Sequence, residues 1–348
     1  MILYARHLVE DDDVAAVKRV LRNGLLTQGP VVEEFEREFA RTCKTKHAVA
    51  VSSGTAALHL LLAACRRTWR EDTIAVSPLT FVATVSAMVH AGFEPRFVDV
   101  DAHTLCIDPR KCLDNEVVLA MDYAGHPCDY VSLTARGLVL QDGAHGLGSV
   151  AGTGTTSAHG NVGSAFSLHP AKLITAGEGG VVTTDDSIKD VIVRQLRDHG
   201  RSDGLCVAAG FNYRMSELHA ALALSQLRKM SRFLARRREI AAKYVSELAG
   251  RVELPAHADG HAWHLYVIRV EAKDRDSFRE RLADRGVGSQ VHYRPVCCQP
   301  RYRAQFPKSC DRTPIVHREW QRIVSIPLSH AMTDAEVDQV ICAVHEVI

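Results

Sequence analysis

The first hydrophobic pattern in the chain is helical. Val14, Val17 and Leu21 recur at helical spacing behind the acids Asp11, Asp12 and Asp13, and Gly24 supplies a stop. Val32, Phe35 and Phe39 form a second amphipathic stripe. The pattern then changes to short apolar runs at 47–52, 73–77, 95–99, 117–123, 138–141, 164–168 and 180–184, which predict strands. Helical stretches at 55–69 and 81–91 separate the earlier runs. Strand and helix alternating in this way predict an α/β fold whose seven strands form a mainly parallel sheet, covered on both faces.

A long helical region at 215–249 follows, and its run Arg236-Arg237-Arg238 reads as a solvated face. Past Pro255, strand-like segments at 263–270 and 289–293 mix with helices at 275–285 and 334–347. The expected organisation is therefore a large domain over 1–245 and a smaller C-terminal α+β domain over 246–348. No internal repeat is visible.

Composition narrows the function. Hydrophobic residues make up 46% and charged residues 24% of the 348 positions, ordinary values for a soluble globular chain. With 42 basic and 41 acidic residues the net charge is +1, which gives nucleic acid or an anionic membrane no electrostatic footprint. No stretch is apolar for long enough to span a bilayer, and the N-terminus lacks the pattern of a secretion signal. A cytoplasmic protein with small-molecule partners is expected.

The ten cysteines show no C-x-x-C pair and read as buried, reduced thiols. Cys297 and Cys298 are adjacent, so on a strand their side chains would diverge, and no second ligand pair follows. His257, His261 and His264 have tempting spacing, but the strand pattern from Trp263 turns neighbouring rings to opposite faces. No metal site is expected. Gly152-Thr153-Gly154 lacks the continuation of a dinucleotide-binding turn, and neither a Walker loop nor a G-x-S-x-G elbow is present.

Three places carry chemistry. At Ser53-Gly54-Thr55 a strand ends and a helix begins, offering free N–H groups and the positive helix end to a phosphate. The same residues also make an ordinary N-cap turn. At Leu138-Val139-Leu140-Gln141-Asp142 an apolar strand delivers a carboxylate to the carboxyl edge of the sheet, where ligands of open α/β sheets gather. Such an acid pairs with a protonated pyridine nitrogen, or caps a helix. At Ala165-Phe166-Ser167-Leu168-His169-Pro170-Ala171-Lys172 a strand leads to a lysine among apolar and small residues. Most lysines are solvated, but one in a crevice can lose its proton and form a Schiff base.

In this order and spacing, the set resembles the DegT/DnrJ/EryC1/StrS family of pyridoxal-phosphate (PLP) sugar aminotransferases across nearly the whole chain. The resemblance implies the type I aminotransferase fold, with Lys172 as Schiff-base lysine and Asp142 at the pyridine nitrogen. It implies cofactor contacts from Gly54, Thr55, Ser167 and His145, and stacking by Phe81. Asn212, in Gly210-Phe211-Asn212-Tyr213-Arg214-Met215, would reach the cofactor phosphate of a neighbouring subunit in a homodimer. Thr27, Gln28, Tyr123, Arg214, His292 and Tyr293 would face the substrate. Lysine at position 172 points to transamination; relatives that dehydrate instead carry histidine there.

The stretch Ile174-Thr175-Ala176-Gly177-Glu178-Gly179-Gly180 is more similar to enzymes that aminate carbon 4 than to those that aminate carbon 3. The implied reaction moves an amino group from glutamate to the carbon-4 keto group of a UDP-linked 4-keto-6-deoxy sugar. A carbon-3 enzyme acting on a dTDP-keto-sugar, or a non-catalytic sensor on the same fold, stays open. Departures from the family are Gly143, where alanine or serine is usual, a short interval between Tyr123 and Asp142, and a short stretch at 201–209.

Overall fold

The computed structural model describes residues 1–152, 157–307 and 310–348. Two amphipathic helices open the chain, α1 (Asp11–Asn23) and α2 (Pro30–Cys43). Glu10 and Asp13 cap the start of α1 reciprocally, and the Gly24 N–H closes its end on the Val20 carbonyl at 3.0 Å. The apolar stripe of α2 is buried, with the Phe35 and Phe39 rings 5.6 Å apart and Phe39 5.3 Å from Phe166. Burial of each such ring contributes about 2–3 kcal/mol.

All seven predicted strands are present: β1 (His47–Val51), β2 (Thr73–Val76), β3 (Glu94–Phe97), β4 (Val118–Met121), β5 (Val139–Asp142), β6 (Gly163–Ser167) and β7 (Gly180–Thr184). Their spatial order is β1-β7-β6-β5-β4-β2-β3. Neighbours are parallel except that β7 runs against both β1 and β6. The carboxyl ends of β1, β2, β4, β5 and β6 therefore share one edge with the beginning of β7. Register brings Gly180 opposite both Val51 and Ser167, and Asp142 opposite Met121 and Ala165. Helices α3 (Gly54–Arg66), α4 (Val82–His90), α5 (Tyr130–Arg136) and α6 (Ser187–Arg197) belong to the same layers. The short Tyr123-to-Asp142 interval is accommodated by α5, which has only seven residues. The short stretch at 201–209 folds as a hairpin of β8 (Arg201–Ser202) and β9 (Leu205–Cys206).

Four expectations are corrected. The helical region at 215–249 is two helices, α7 (Glu217–Arg228) and α8 (Met230–Leu248), which meet at Lys229. Arg237 is fully buried rather than solvated, donating to the carbonyls of Trp263, His264 and Leu328 at 3.0–3.1 Å. The segment 289–293 forms no strand; it contributes a single bridge between Gln290 and Ser325. Cysteine burial holds for Cys43, Cys65, Cys106, Cys112, Cys128 and Cys297, but Cys206 and Cys342 are exposed and Cys298 is half-buried. Thr153 and Gly154 lie outside the described residues.

The C-terminal part contains β10 (Tyr266–Arg269), α9 (Arg275–Asp284), α10 (Pro300–Gln305), α11 (Pro314–Glu319), β11 (Ile323–Ile326) and α12 (Asp334–Val347). β10 and β11 pair antiparallel. One core cluster joins Ile2 and the later turns of α8, through Ile240, Tyr244 and Leu248, to Tyr266, Val324 and Val344. Another packs Tyr123 and Tyr130 against Leu265, Val267 and Ile323, so sheet and C-terminal part share apolar contacts. Among the described residues no helix is long and apolar enough to cross a membrane.

Candidate functional site

A cavity of about 390 Å³ opens at the shared strand edge, lined by Gly54, Thr55, Phe81, Asp142, His145, Ser167, Lys172, His292 and Tyr293. Nine of the sequence-predicted site residues thus converge on one space. A larger groove of about 970 Å³ contains Cys106, Arg110 and His126 but none of the predicted residues. The smaller cavity is where the chemistry meets.

Each wall follows from local structure. Ser53 ends the strand-to-helix turn and caps α3, its hydroxyl accepting from the Ala56 N–H at 3.1 Å. The next N–H groups belong to the first turn and have no intrahelical acceptor, as an anion site requires. Ser167 closes over this turn so tightly that a Cβ on Gly54 would stand 2.6 Å from the Ser167 Cβ. Gly180 supports it from behind, since a Cβ there would lie 2.3 Å from the Ser53 carbonyl oxygen. Backbone approach, rather than turn flexibility, is what these two glycines provide.

Asp142, at the end of β5, is buried, and its carboxylate accepts from the Thr84 hydroxyl at 2.6 Å and the Ala144 N–H at 3.1 Å. Thr84 in turn lies 2.6 Å from the Thr80 hydroxyl. Burial raises the Asp142 carboxyl above its usual range, opposed by those hydrogen bonds and by the positive charge of Lys172. Burial also pushes the Lys172 ammonium down to about 8, with Asp142 opposing. A lysine so placed supplies neutral amine near neutral pH.

His145 is buried and, through desolvation first and the nearby Lys172 and His292 second, stays neutral well below its ordinary pKa. Its Nε2 is 2.9 Å from the Tyr293 hydroxyl, and the His264 ring lies against it at 4.1 Å. Its Nδ1 is buried with no hydrogen-bond partner among the described residues. An orphaned buried polar atom is costly unless a bound group satisfies it. The Gly54 and Ser167 cradle, the amine of Lys172, the acid of Asp142 and this open position of His145 fit PLP. Phe81, 52% exposed at the rim, has its ring 5.7 Å from that of Tyr293.

Other predicted residues are placed elsewhere. Tyr123 is buried behind the cavity and donates its hydroxyl to the His292 carbonyl. His292 itself is held by Ser325, at 2.8 Å from Nδ1, and burial lowers it to about 4. Thr27, Gln28, Asn212 and Arg214 do not line the cavity. Thr27 bridges Ser216, Gln28 donates to the Met215 carbonyl at 3.3 Å, and Arg214 pairs with Asp198. Glu217 fixes their loop by accepting from Gly29, Val31 and Val32 at 2.8–3.0 Å. These residues form a separate group with Asn212 and Thr27 exposed.

Sequence reading missed Thr84, Tyr4 and Glu178 as cavity residues and His264 as the packing partner of His145. Thr84 carried a signal, lying one helical turn beyond Phe81 in α4 with a hydroxyl to offer. Tyr4 carried none. His257, His261 and His264 have different surroundings: His257 is exposed and His261 stacks on Trp263 at 3.9 Å.

Residues 8–345 match the DegT/DnrJ/EryC1/StrS aminotransferase family. The chain is 35% identical to the spore coat polysaccharide biosynthesis protein SpsC of Bacillus subtilis, over 99% of this chain and 96% of that protein. Among solved structures it resembles Helicobacter pylori PseC, an aminotransferase involved in the biosynthesis of pseudoaminic acid. The TM-score is 0.92, the identity 27%, and 99% of this chain and 98% of that one are covered. The PLP form of Streptococcus pneumoniae Spr1654, described as a putative sugar aminotransferase, has TM-score 0.92 and 26% identity over 100% of this chain and 99% of that one.

Proposed function

The chain belongs to the DegT/DnrJ/EryC1/StrS family of PLP-dependent sugar aminotransferases, and from this premise we propose that it aminates carbon 4 of a UDP-linked 4-keto-6-deoxy sugar with glutamate as donor. The observation that carries the chemistry is the single cavity holding Lys172, Asp142 and His145 beside the Gly54 and Ser167 cradle. The likeness to PseC and SpsC, with the Gly177-Glu178-Gly179-Gly180 stretch, favours an amino sugar destined for a surface polysaccharide or an acidic sugar.

PLP, when bound, supplies an electron sink for negative charge developing at the carbon that gains or loses the amino group. The chain does the rest. With PLP bound, the Lys172 Nζ would hold the cofactor covalently and, as a free amine, would take up and return the proton that transamination moves. Asp142 would favour positive charge on the ring nitrogen, and the Thr84 hydrogen bond keeps its carboxylate oriented. His145, neutral and fixed by Tyr293, would position the ring hydroxyl, and Phe81 would stack on the ring. Thr27, Gln28, Asn212 and Arg214 serve the cavity of a second copy in a homodimer, while His292 and Tyr293 serve the substrate side of their own and Tyr123 supports them from behind through the His292 carbonyl.

The test is mass spectrometry of products from UDP- and dTDP-linked 4-keto-6-deoxy sugars with glutamate, with the aminated carbon assigned by NMR. Expected is a carbon-4 amino sugar from the UDP substrate, and no product with Lys172→Ala. A carbon-3 product or dTDP preference overturns the substrate assignment. A protein loaded with cofactor that turns over no amino donor supports a sensor instead.

A further inference from the structure

Cys297 and Cys298 do not sit on a strand. They occupy a 3-10 turn (Val296–Cys298) that begins shortly after Tyr293. The tight turn carries both side chains towards His317 of α11. The His317 Nε2 is 3.8 Å from the Cys298 Sγ and 4.0 Å from the Cys297 Sγ, and the ligand atoms of all three residues lie within 4.8 Å of one another. We propose that Cys297, Cys298 and His317 bind a zinc ion.

The spacing is close to that of a site around an ion. Zinc bonds of about 2.3 Å to sulfur and 2.0–2.1 Å to nitrogen, at the tetrahedral angle, place sulfur and nitrogen roughly 3.5 Å apart. The distances found exceed this by a few tenths of an ångström, within reach of small side-chain rotations. Nε2 lies within 4.0 Å of both sulfurs and is the nitrogen offered to the ion, while Nδ1 stands 3.9 Å from the Cys298 Sγ. Two thiolates and an imidazole are the soft-to-borderline donors that select zinc over magnesium or calcium. Charge also balances, since two thiolates offset the dication and the imidazole is neutral. On binding, each thiol releases its proton to solvent as its sulfur bonds the metal, and no oxidant or reductant is required. Cys297 is buried, whereas Cys298 and His317 are half-buried, so an ion can enter and a water can complete the shell.

Both sides of the site are anchored. The Val296 N–H donates to the Pro78 carbonyl at 2.8 Å, fixing the turn next to the end of β2. The Asp99 carboxylate accepts from Ile315 and Val316 at 3.0 and 2.9 Å, fixing the start of α11. An ion here staples the segment that carries His292 and Tyr293 to α11, and so steadies the Tyr293 hydroxyl against His145.

The experiment measures zinc in the reduced, full-length protein after dialysis against a weak chelator, by inductively coupled plasma mass spectrometry. Expected is one equivalent per chain, with cobalt(II) in its place giving an intense thiolate charge-transfer band. His317→Ala and Cys298→Ser should lower zinc affinity more than about a hundredfold. His317→Cys should retain the ion, and Cys342→Ser, at an exposed thiol, should leave it unchanged. Circular dichroism of each variant separates loss of the ligand from loss of the fold. A wild-type chain that takes up no zinc after reconstitution, or a folded His317→Ala that binds it equally well, overturns the proposal. Because the readout is metal content, it stands or falls independently of the sugar substrate.

Discussion

Lys172 must be a neutral amine before it can attack an aldehyde, and its surroundings bring that state within reach of neutral pH. A lysine with the ordinary value of 10.5 is ionised at pH 7 in all but a few molecules per ten thousand; at about 8, roughly a tenth are neutral. The direction follows from burial, which penalises the ammonium, and is only partly offset by Asp142. Below pH 8 the reactive form therefore falls about tenfold per unit, and above it saturates. Stopped-flow absorbance of PLP capture by the cofactor-free protein should trace this curve with a midpoint near 8. A midpoint near 10.5 would show that Lys172 is solvated. His145 sits at the opposite extreme: held neutral throughout the working range, it contributes a fixed position rather than a titration.

At the scale of elements, the junction of β1 and α3 is built around missing side-chain atoms. A methyl on Gly54 would meet the Ser167 Cβ at 2.6 Å and its Oγ at 2.9 Å, so Gly54→Ala has to move α3 or β6. Overpacking of this kind costs about 1–3 kcal/mol, measurable as a lower thermal midpoint. Adding Ser167→Gly removes both clashing atoms and should recover most of that stability, although not cofactor affinity; a double variant no more stable than Gly54→Ala refutes the steric account. Such closeness has no trace in the sequence beyond the glycine itself. Most of the strands were legible because they are short runs buried on both faces, as the four residues of β4 and β5 are, whereas β3 at the sheet edge buries only Pro95 and Phe97. The break at Lys229 was not, since lysine propagates a helix well and only packing ends one there. The segment at 289–293 has strand-like composition, but a single bridge is all the pairing it finds. Asp142 was legible because it ends β5, and Lys172 because it follows shortly after the end of β6 at Ser167; Tyr4 and His264 reach them through chain crossings that no local pattern encodes.

For the whole molecule, the separation of Thr27, Gln28, Asn212 and Arg214 from the cavity has a direct test. If these groups complete the site of a second copy, a Lys172→Ala chain and an Asn212→Ala chain are defective in different halves of one active site. Refolded together in equal amounts, half of the dimers are mixed, and each has one intact site. Activity should recover to about a quarter of wild type, where either variant alone is inactive or poorly loaded with PLP. Recovery no greater than the average of the two parents would place Asn212 outside the shared site. Sedimentation at the assay concentration checks that dimers are present.

Arg237 imposes a different condition on the same molecule. Its guanidinium leaves α8 to hold three carbonyls, at Trp263, His264 and Leu328, and burial lowers it to about 10. Removing the arginine strands those acceptors, and a grafted segment whose backbone carries the three carbonyls along a different path strands a charge. Any chimera that grafts the C-terminal segment of a relative onto this sheet must therefore inherit α8 with it. A recombination breakpoint at 245, between the apparent halves of the sequence, cuts through that helix, whereas one at Lys229, where α7 gives way to α8, transfers the arginine and its three acceptors as a heritable unit.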